Sequence, residues 1–307
     1  MSEPIVPDPA GSTVYAPGLR REYEPERAPW APPVDARVVV SVLVHAPCYD
    51  DDPPADVVRP AAMQGGVGRE TGEPRHGQVA RLSQWDFGLT VGTFRLLRIA
   101  ERLGVPVAVA LDARGVARMP GLAAAVAAGA GEVVARGAAA NHVLHPGMTP
   151  AQEQEYVARS LATVRAAVGR PVDGWFSPER ATTARTPTVL AGAGVRWFGE
   201  WPVDERPVPL DGAAAGVQAL PFALETEDMF ALYTRAMRSD DYEVLLNRTL
   251  DALLADAERV GTRFLGLSWF GWVLGQACFA DVAERFLARL VEQDGVHLAL
   301  PGDVAGL

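Results

Sequence analysis

The run DGWFSPERATTARTPTVLAGAGVRWFGEW, residues 173–201, reads as strand, helix and strand in close succession. DGWFSPE (173–179) and VRWFGEW (195–201) suit strands, and TPTVLAGAG (186–194) between them suits a helix. The same alternation extends in both directions. RVVVSVLVH (37–45) is a continuous apolar run of the kind buried in a parallel sheet. TFRLLRIAERLG (93–104) has apolar residues at helical spacing and a C-cap in Gly104, followed by the strand VPVAVALD (105–112). GLAAAVAAGA (121–130) makes a short helix, and GEVVARG (131–137) a short strand with its loop. Thr149-Pro150-Ala151-Gln152 is a capping box with proline at the first helical position, opening a helix to about Val168. Beyond 201 come a strand within GVQALPFALETED (216–228), a helix over about 239–260 and the strand RFLGLSWFGW (263–272). A helix over about 278–294 and a last strand in VHLALPGD (296–303) finish the series.

Strand–helix units repeated over this length point to a parallel β/α barrel or a doubly wound sheet. The barrel is preferred because polar residues recur just after the strands: His45, Asp112, Arg136, Ser177, Glu179, Glu200, Asp204, Glu225, Asp228 and Asp303. In a barrel those positions share the face where active sites sit. Residues 1–33 are polar and proline-rich and read as an extended N-terminal arm, leaving 34–307 as one barrel domain. Residues 46–82, rich in Pro, Gly, Asp and Arg, read as a long loop.

Composition narrows the chemistry. The 307 residues are 49% hydrophobic and carry a formal charge of −10, which argues against nucleic acid or an anionic membrane as partner. No apolar run approaches the roughly 20 residues that span a bilayer. MSEPIVPDPAGSTVY lacks the basic and apolar regions of a signal peptide, and Cys48 and Cys278 are too few for a disulfide framework. A cytoplasmic protein with a small-molecule substrate is expected, with homo-oligomerisation left open. There is no lysine, so Schiff-base chemistry, lysine-anchored pyridoxal phosphate and a P-loop are excluded.

Several strings resemble the polysaccharide deacetylase (NodB-homology) superfamily, and most closely its allantoinase-like, PuuE-type branch. They are DARVVVSVLV (35–44), WDFGLTVGTFRLLRIAERLGVPVAVALDARG (85–115), VDGWFSPERATTARTPTVLAGAGVRWFGEWPVDERP (172–207), PFALETEDM (221–229) and the tail from about 239 to 303. The resemblance implies a distorted (β/α) barrel with fewer than eight regular units. It also implies hydrolysis of C–N bonds other than peptide bonds. In the metal-dependent members an aspartate after the first strand and two histidines after the third hold a divalent cation that activates water. Here the first strand ends in His45-Ala46-Pro47, with Asp50, Asp51 and Asp52 displaced downstream. The third-strand histidine is Arg136, and the position one helical turn on is Ala140. The histidine after the penultimate strand is replaced by Trp269 or Phe270.

An arginine cannot ligate a cation and stays charged at working pH, but it can bind a carboxylate through two parallel hydrogen bonds or stabilise an oxyanion. Arg136 is therefore expected to bind substrate, unless it pairs with Glu132, Glu179 or Glu225. Glu225, Asp228, Glu179 and His45 are the candidate acids and bases, Asp228 being equally suited to cap a helix. Ser177, Trp201, Trp269, Phe270 and Trp272 are expected to help line an aromatic pocket for an apolar or aromatic ligand. Cys48 is open to two readings, nucleophile or small buried hydrophobe. His142 and His145, with His45 and Asp50–Asp52, would be the ligands of a rebuilt metal site; His76 and His297 read as structural or exposed. The favoured expectation is an enzyme that uses neither metal nor other cofactor on a small amide, ureide or other specialised metabolite. A metal-dependent deacetylase with a rebuilt site and a non-catalytic binding protein are the alternatives.

Overall fold

The computed structural model describes residue 16 and residues 18–50, 79–129 and 131–306. Its framework is one curled sheet in the order β6-β7-β5-β4-β3-β2-β1-β8, with β9 also paired to β1. The strands are β1 (Val38–Ala46), β2 (Val107–Leu111), β3 (Glu132–Ala135), β4 (Gly174–Trp175) and β5 (Trp197–Phe198). They continue with β6 (Val208–Pro209), β7 (Gln218–Ala219), β8 (Arg263–Phe270) and β9 (Val296–Leu298). All pairings are parallel except β6 with β7. β7 and β8 are not hydrogen-bonded to each other, so the barrel is distorted and incompletely closed. β9 pairs with Val38–Val40 and β2 with Val42–Ala46, so the two share one edge of β1.

The helices are α1 (Val79–Phe87), α2 (Thr93–Leu103), α3 (Ala113–Arg118), α4 (Pro120–Ala128), α5 (Pro150–Val168), α6 (Thr186–Gly192), α7 (Ser239–Val260), α8 (Ala280–Glu292) and α9 (Pro301–Val304). Thr149 caps α5 in the expected box, its side chain accepting from Gln152 N–H while Gln152 Oε1 accepts from Thr149 N–H. The helix expected over 93–104 begins earlier. α1 runs into α2 through a π-turn at Gly88–Gly92, so the expected loop over 46–82 is already helical from Val79. Glycine permits this: a Cβ on Gly92 would lie 1.9 Å from Gly271 O, where the helix presses on the end of β8. α3 and the antiparallel β6 are additional to the sequence reading; Asp112 caps α3 by accepting from Gly115 N–H at 2.6 Å. Among the described residues no helix is long and apolar enough to cross a membrane.

Period-two alternation sorts every long strand into an inner and an outer face. Along β1, Val39 and Leu43 enter the barrel interior, while Val38, Val40, Val42 and Val44 pack outward under the helices. Along β2 and β3, Ala108, Ala110 and Val134 point in. The lower interior is filled by Phe176, Trp197, Phe222 and Phe264, whereas the strand ends carry polar groups.

Candidate functional site

The alternation that puts Val39 and Leu43 inside also puts His45 there, and likewise Asp112 after β2, Arg136 after β3 and Phe270 at the end of β8. His45 is fully buried, stacked on Phe270 and edge-on to Phe176, each ring centroid 4.6 Å away. Arg136 Nε donates to His45 Nδ1 at 3.2 Å, and His45 Nε2 lies 2.8 Å from Ser268 Oγ. Because a guanidinium can only donate, Nδ1 must accept and the imidazole proton sits on Nε2. His45 Nε2–H therefore donates to Ser268, and the Ser268 hydroxyl donates onward to Glu227 Oε2 at 3.4 Å. Burial, reinforced by Arg136 and Arg180, holds the His45 pKa well below its ordinary value, so the ring is neutral.

Arg180 fixes the far end of this chain. Its Nη2 is 2.7 Å from Glu227 Oε2, its Nη1 donates to Phe222 O at 2.8 Å, and its guanidinium lies over Phe176. Glu179 and Arg180 both have φ of 54°, a left-handed conformation that costs energy outside glycine and here aims Arg180 inward. Glu200, after β5, accepts from Ser177 N–H, and burial raises its carboxyl pKa. Among the described residues, three buried atoms of this layer have no hydrogen-bond partner: Arg136 Nη1, Glu200 Oε2 and Glu227 Oε1. Buried polar atoms are seldom left unpaired, so these three are open hydrogen-bonding positions of the layer.

The structure brings His45, Arg136 and Phe270 together, with Ser177 beside Glu200. Other expectations are corrected. Glu225 is exposed, and the neighbouring Glu227 faces inward in its place. Asp228 is buried but spent: its carboxylate accepts from the Met229, Phe270 and Leu274 N–H groups, tying the turn after β7 to the end of β8. Burial raises its pKa against those three donors. Trp269 has the opposite parity to Phe270 and packs outward, its Nε1 donating to Tyr242 at 3.0 Å. Trp272 lies past the strand against Tyr233, and Trp201 packs on Phe198 and donates to Thr182. Glu179 is half-buried beside the layer. Asp204 pairs with Arg27, and Asp303 is exposed on α9, whose Gly302 N–H reaches Glu132 at the opposite, starting end of β3. Glu227, Arg180, Ser268 and Phe176 are the inward residues that sequence reasoning missed; strict alternation from Phe264 along β8 would have found Ser268.

Cys48 is buried, and burial together with Asp112 raises its thiol pKa to about 12, which favours the unreactive thiol over the thiolate. Asp50 is bridged to Arg114 at 2.8 Å and to His142 Nε2 at 3.2 Å, and with His145 they line a cleft of about 840 Å³ between α3 and α5. Neither His45 nor Arg136 lines that cleft. Asp51, Asp52 and His76 lie outside the described residues. Among the described residues no group of three or more His, Cys, Asp or Glu side chains is arranged to hold a metal. A divalent cation does not fit the inward layer. Arg136 sets a guanidinium there, His45 has both ring nitrogens engaged, and both Asp112 oxygens accept backbone N–H groups, from Cys48 and Gly115.

No protein-family model matches the chain, and no curated protein matches it. Solved structures do. PuuE allantoinase is 19% identical, with 98% of this chain and 97% of that one covered at a TM-score of 0.79. A protein of Pseudomonas aeruginosa PAO1 assigned as a polysaccharide deacetylase is 21% identical, with 89% and 91% covered and a TM-score of 0.77. One from Mycobacterium smegmatis with the same assignment is 18% identical, with 91% and 93% covered and a TM-score of 0.76. The chain shares the fold of these three proteins along nearly its whole length.

Proposed function

We propose that the chain is a metal-independent hydrolase of a non-peptide C–N bond in a small amide or ureide. The observation that carries this reading is the set of unpartnered buried atoms, Arg136 Nη1, Glu200 Oε2 and Glu227 Oε1, around a neutral His45. Such a layer has an electrophilic end, a proton acceptor and a proton donor, which is what hydrolysis without a metal requires. Glu227 is held by Arg180 through Oε2, leaving Oε1 to take a proton from the attacking water. The water oxygen bonds to the carbonyl carbon, the C–N bond breaks, and the departing nitrogen takes a proton from the Glu200 carboxyl, which burial makes a weaker acid and so a better proton carrier. The proton taken up by Glu227 replaces it through solvent. Arg136 holds the substrate, and Phe176 and Phe270 clamp the imidazole that positions Arg136.

The test is turnover of a panel of small amides and ureides, with and without a chelator. Glu227→Gln is expected to lower kcat about 10²- to 10⁴-fold while chelation changes nothing. Undiminished turnover in Glu227→Gln, or activity removed by chelator and restored by a divalent ion, would sink the reading.

A further inference from the structure

Among the described residues Arg136 carries a buried charge with no ion pair, although the Asp112 carboxyl is near enough to feel it. It is 2% exposed and, among the described residues, leaves Nη1 without a hydrogen-bond partner. Arg263 is buried to the same degree and shows the usual arrangement, with Glu24 2.5 Å away and Glu205 at 3.8 Å. Its neighbours among the described residues include the neutral His45, the Phe270 ring at 5.5 Å and Asp112, whose two oxygens accept from Cys48 and Gly115. A buried cation without a partner is costly, and a bound anion would offset that cost.

We infer that Arg136 is the receptor for the carboxylate of a small monoanionic ligand. The hydrogen-bond chain gives the ligand its direction: donors run from Arg136 through His45 and Ser268 to Glu227. The acid group thus belongs at Arg136, and an N–H group of the ligand belongs at the free Oε1 of Glu227. A single guanidinium balances one negative charge, and its planar fork matches a carboxylate. A phosphate dianion would overshoot that charge beside the unpartnered oxygens of Glu200 and Glu227. The inference rests on the proposed hydrolase reading for the location of the site, not for its chemistry.

The experiment is calorimetric and thermal-shift titration of the full chain with three acids, each paired with its neutral amide: acetate, glycolate and N-carbamoylglycine. Each acid is expected to bind more tightly than its amide, with N-carbamoylglycine the best. Arg136→Gln should weaken acid binding roughly 10- to 100-fold and abolish the preference of each acid over its amide. Without ligand, Arg136→Gln should melt no lower than the parent, because it removes an unpaired buried charge. Arg136→Lys, which keeps the charge and loses the fork, should retain part of the preference. No preference for the acid in any pair, or a preference that survives Arg136→Gln, would overturn the inference. Acid binding without turnover leaves it standing and removes the hydrolase reading; turnover of neutral amides without acid preference does the reverse.

Discussion

Asp112 shows how a single side chain of the inward layer makes the protein answer to pH. It is fully buried, and burial raises its pKa to about 7 despite hydrogen bonds from the Cys48 and Gly115 N–H groups. In the unfolded chain it would titrate near the ordinary carboxylate value. Between about pH 4 and 7 the folded carboxyl therefore holds a proton that the unfolded one has lost. The folded state binds the extra proton, so this group's contribution to stability declines as pH rises through that window. The slope is at most about 1.4 kcal/mol per pH unit. Burial pushes Glu200 and Asp228 in the same direction. Asp112→Asn is expected to flatten the profile of stability against pH between 4 and 7, measured by urea denaturation at each pH. An unchanged slope would mean that Asp112 is ionised in the folded protein.

At the scale of elements, the barrel interior depends on glycines placed opposite rings. A Cβ on Gly266 in β8 would lie 2.7 Å from the Phe222 ring, one on Gly174 in β4 would lie 2.4 Å from Trp197, and one on Gly199 would lie 2.6 Å from Phe176. Phe176 is the ring against which His45 rests edge-on, so this packing supports the polar layer above it. Gly266→Ala is expected to destabilise the protein by roughly 1–3 kcal/mol, because Phe222 backbone as well as ring would have to move. Denaturant melts would check this, and an unchanged midpoint would refute it. Such packing was not legible in the sequence, since a glycine's opposite ring comes from another strand. What was legible were local signals: the apolar run of β1, the Thr149 cap and the Gly104 stop. Of the site, His45 and Arg136 could be read because each directly ends a clear strand. Glu227 could not, because Glu225, Glu227 and Asp228 stand within four residues and only the turn after β7 decides which faces inward. The misplacement of Trp269 has a different origin, since alternation along β8 was available and points it outward.

The whole molecule is held shut along a seam that the sheet itself does not close. β6 and β8 are the free edges, and the residues from Gly18 to Ala36 lace them together. Asp211 N–H donates to Gly18 O, Arg206 reaches Glu22 at 3.0 Å and Arg27 pairs with Asp204, all on the β6–β7 side. Arg263 then holds Glu24 and Thr262 N–H donates to Trp30 O, at the start of β8. Arg27 and Asp204 are about nine-tenths buried, so removing one partner leaves a poorly solvated charge. Arg27→Ala is expected to cost roughly 3 kcal/mol, at the low end for a buried pair because Arg206 still lies 3.7 Å from the same carboxylate. The loss should also be local. Hydrogen exchange should quicken at residues 204–211 and at the start of β8, while the β1–β2 ladder keeps its protection. Uniform loss of protection across the sheet would mean that Arg27 supports global stability and that the seam is closed by other contacts, of which the Phe264 N–H to Glu205 O hydrogen bond at 2.7 Å would be the first to remove.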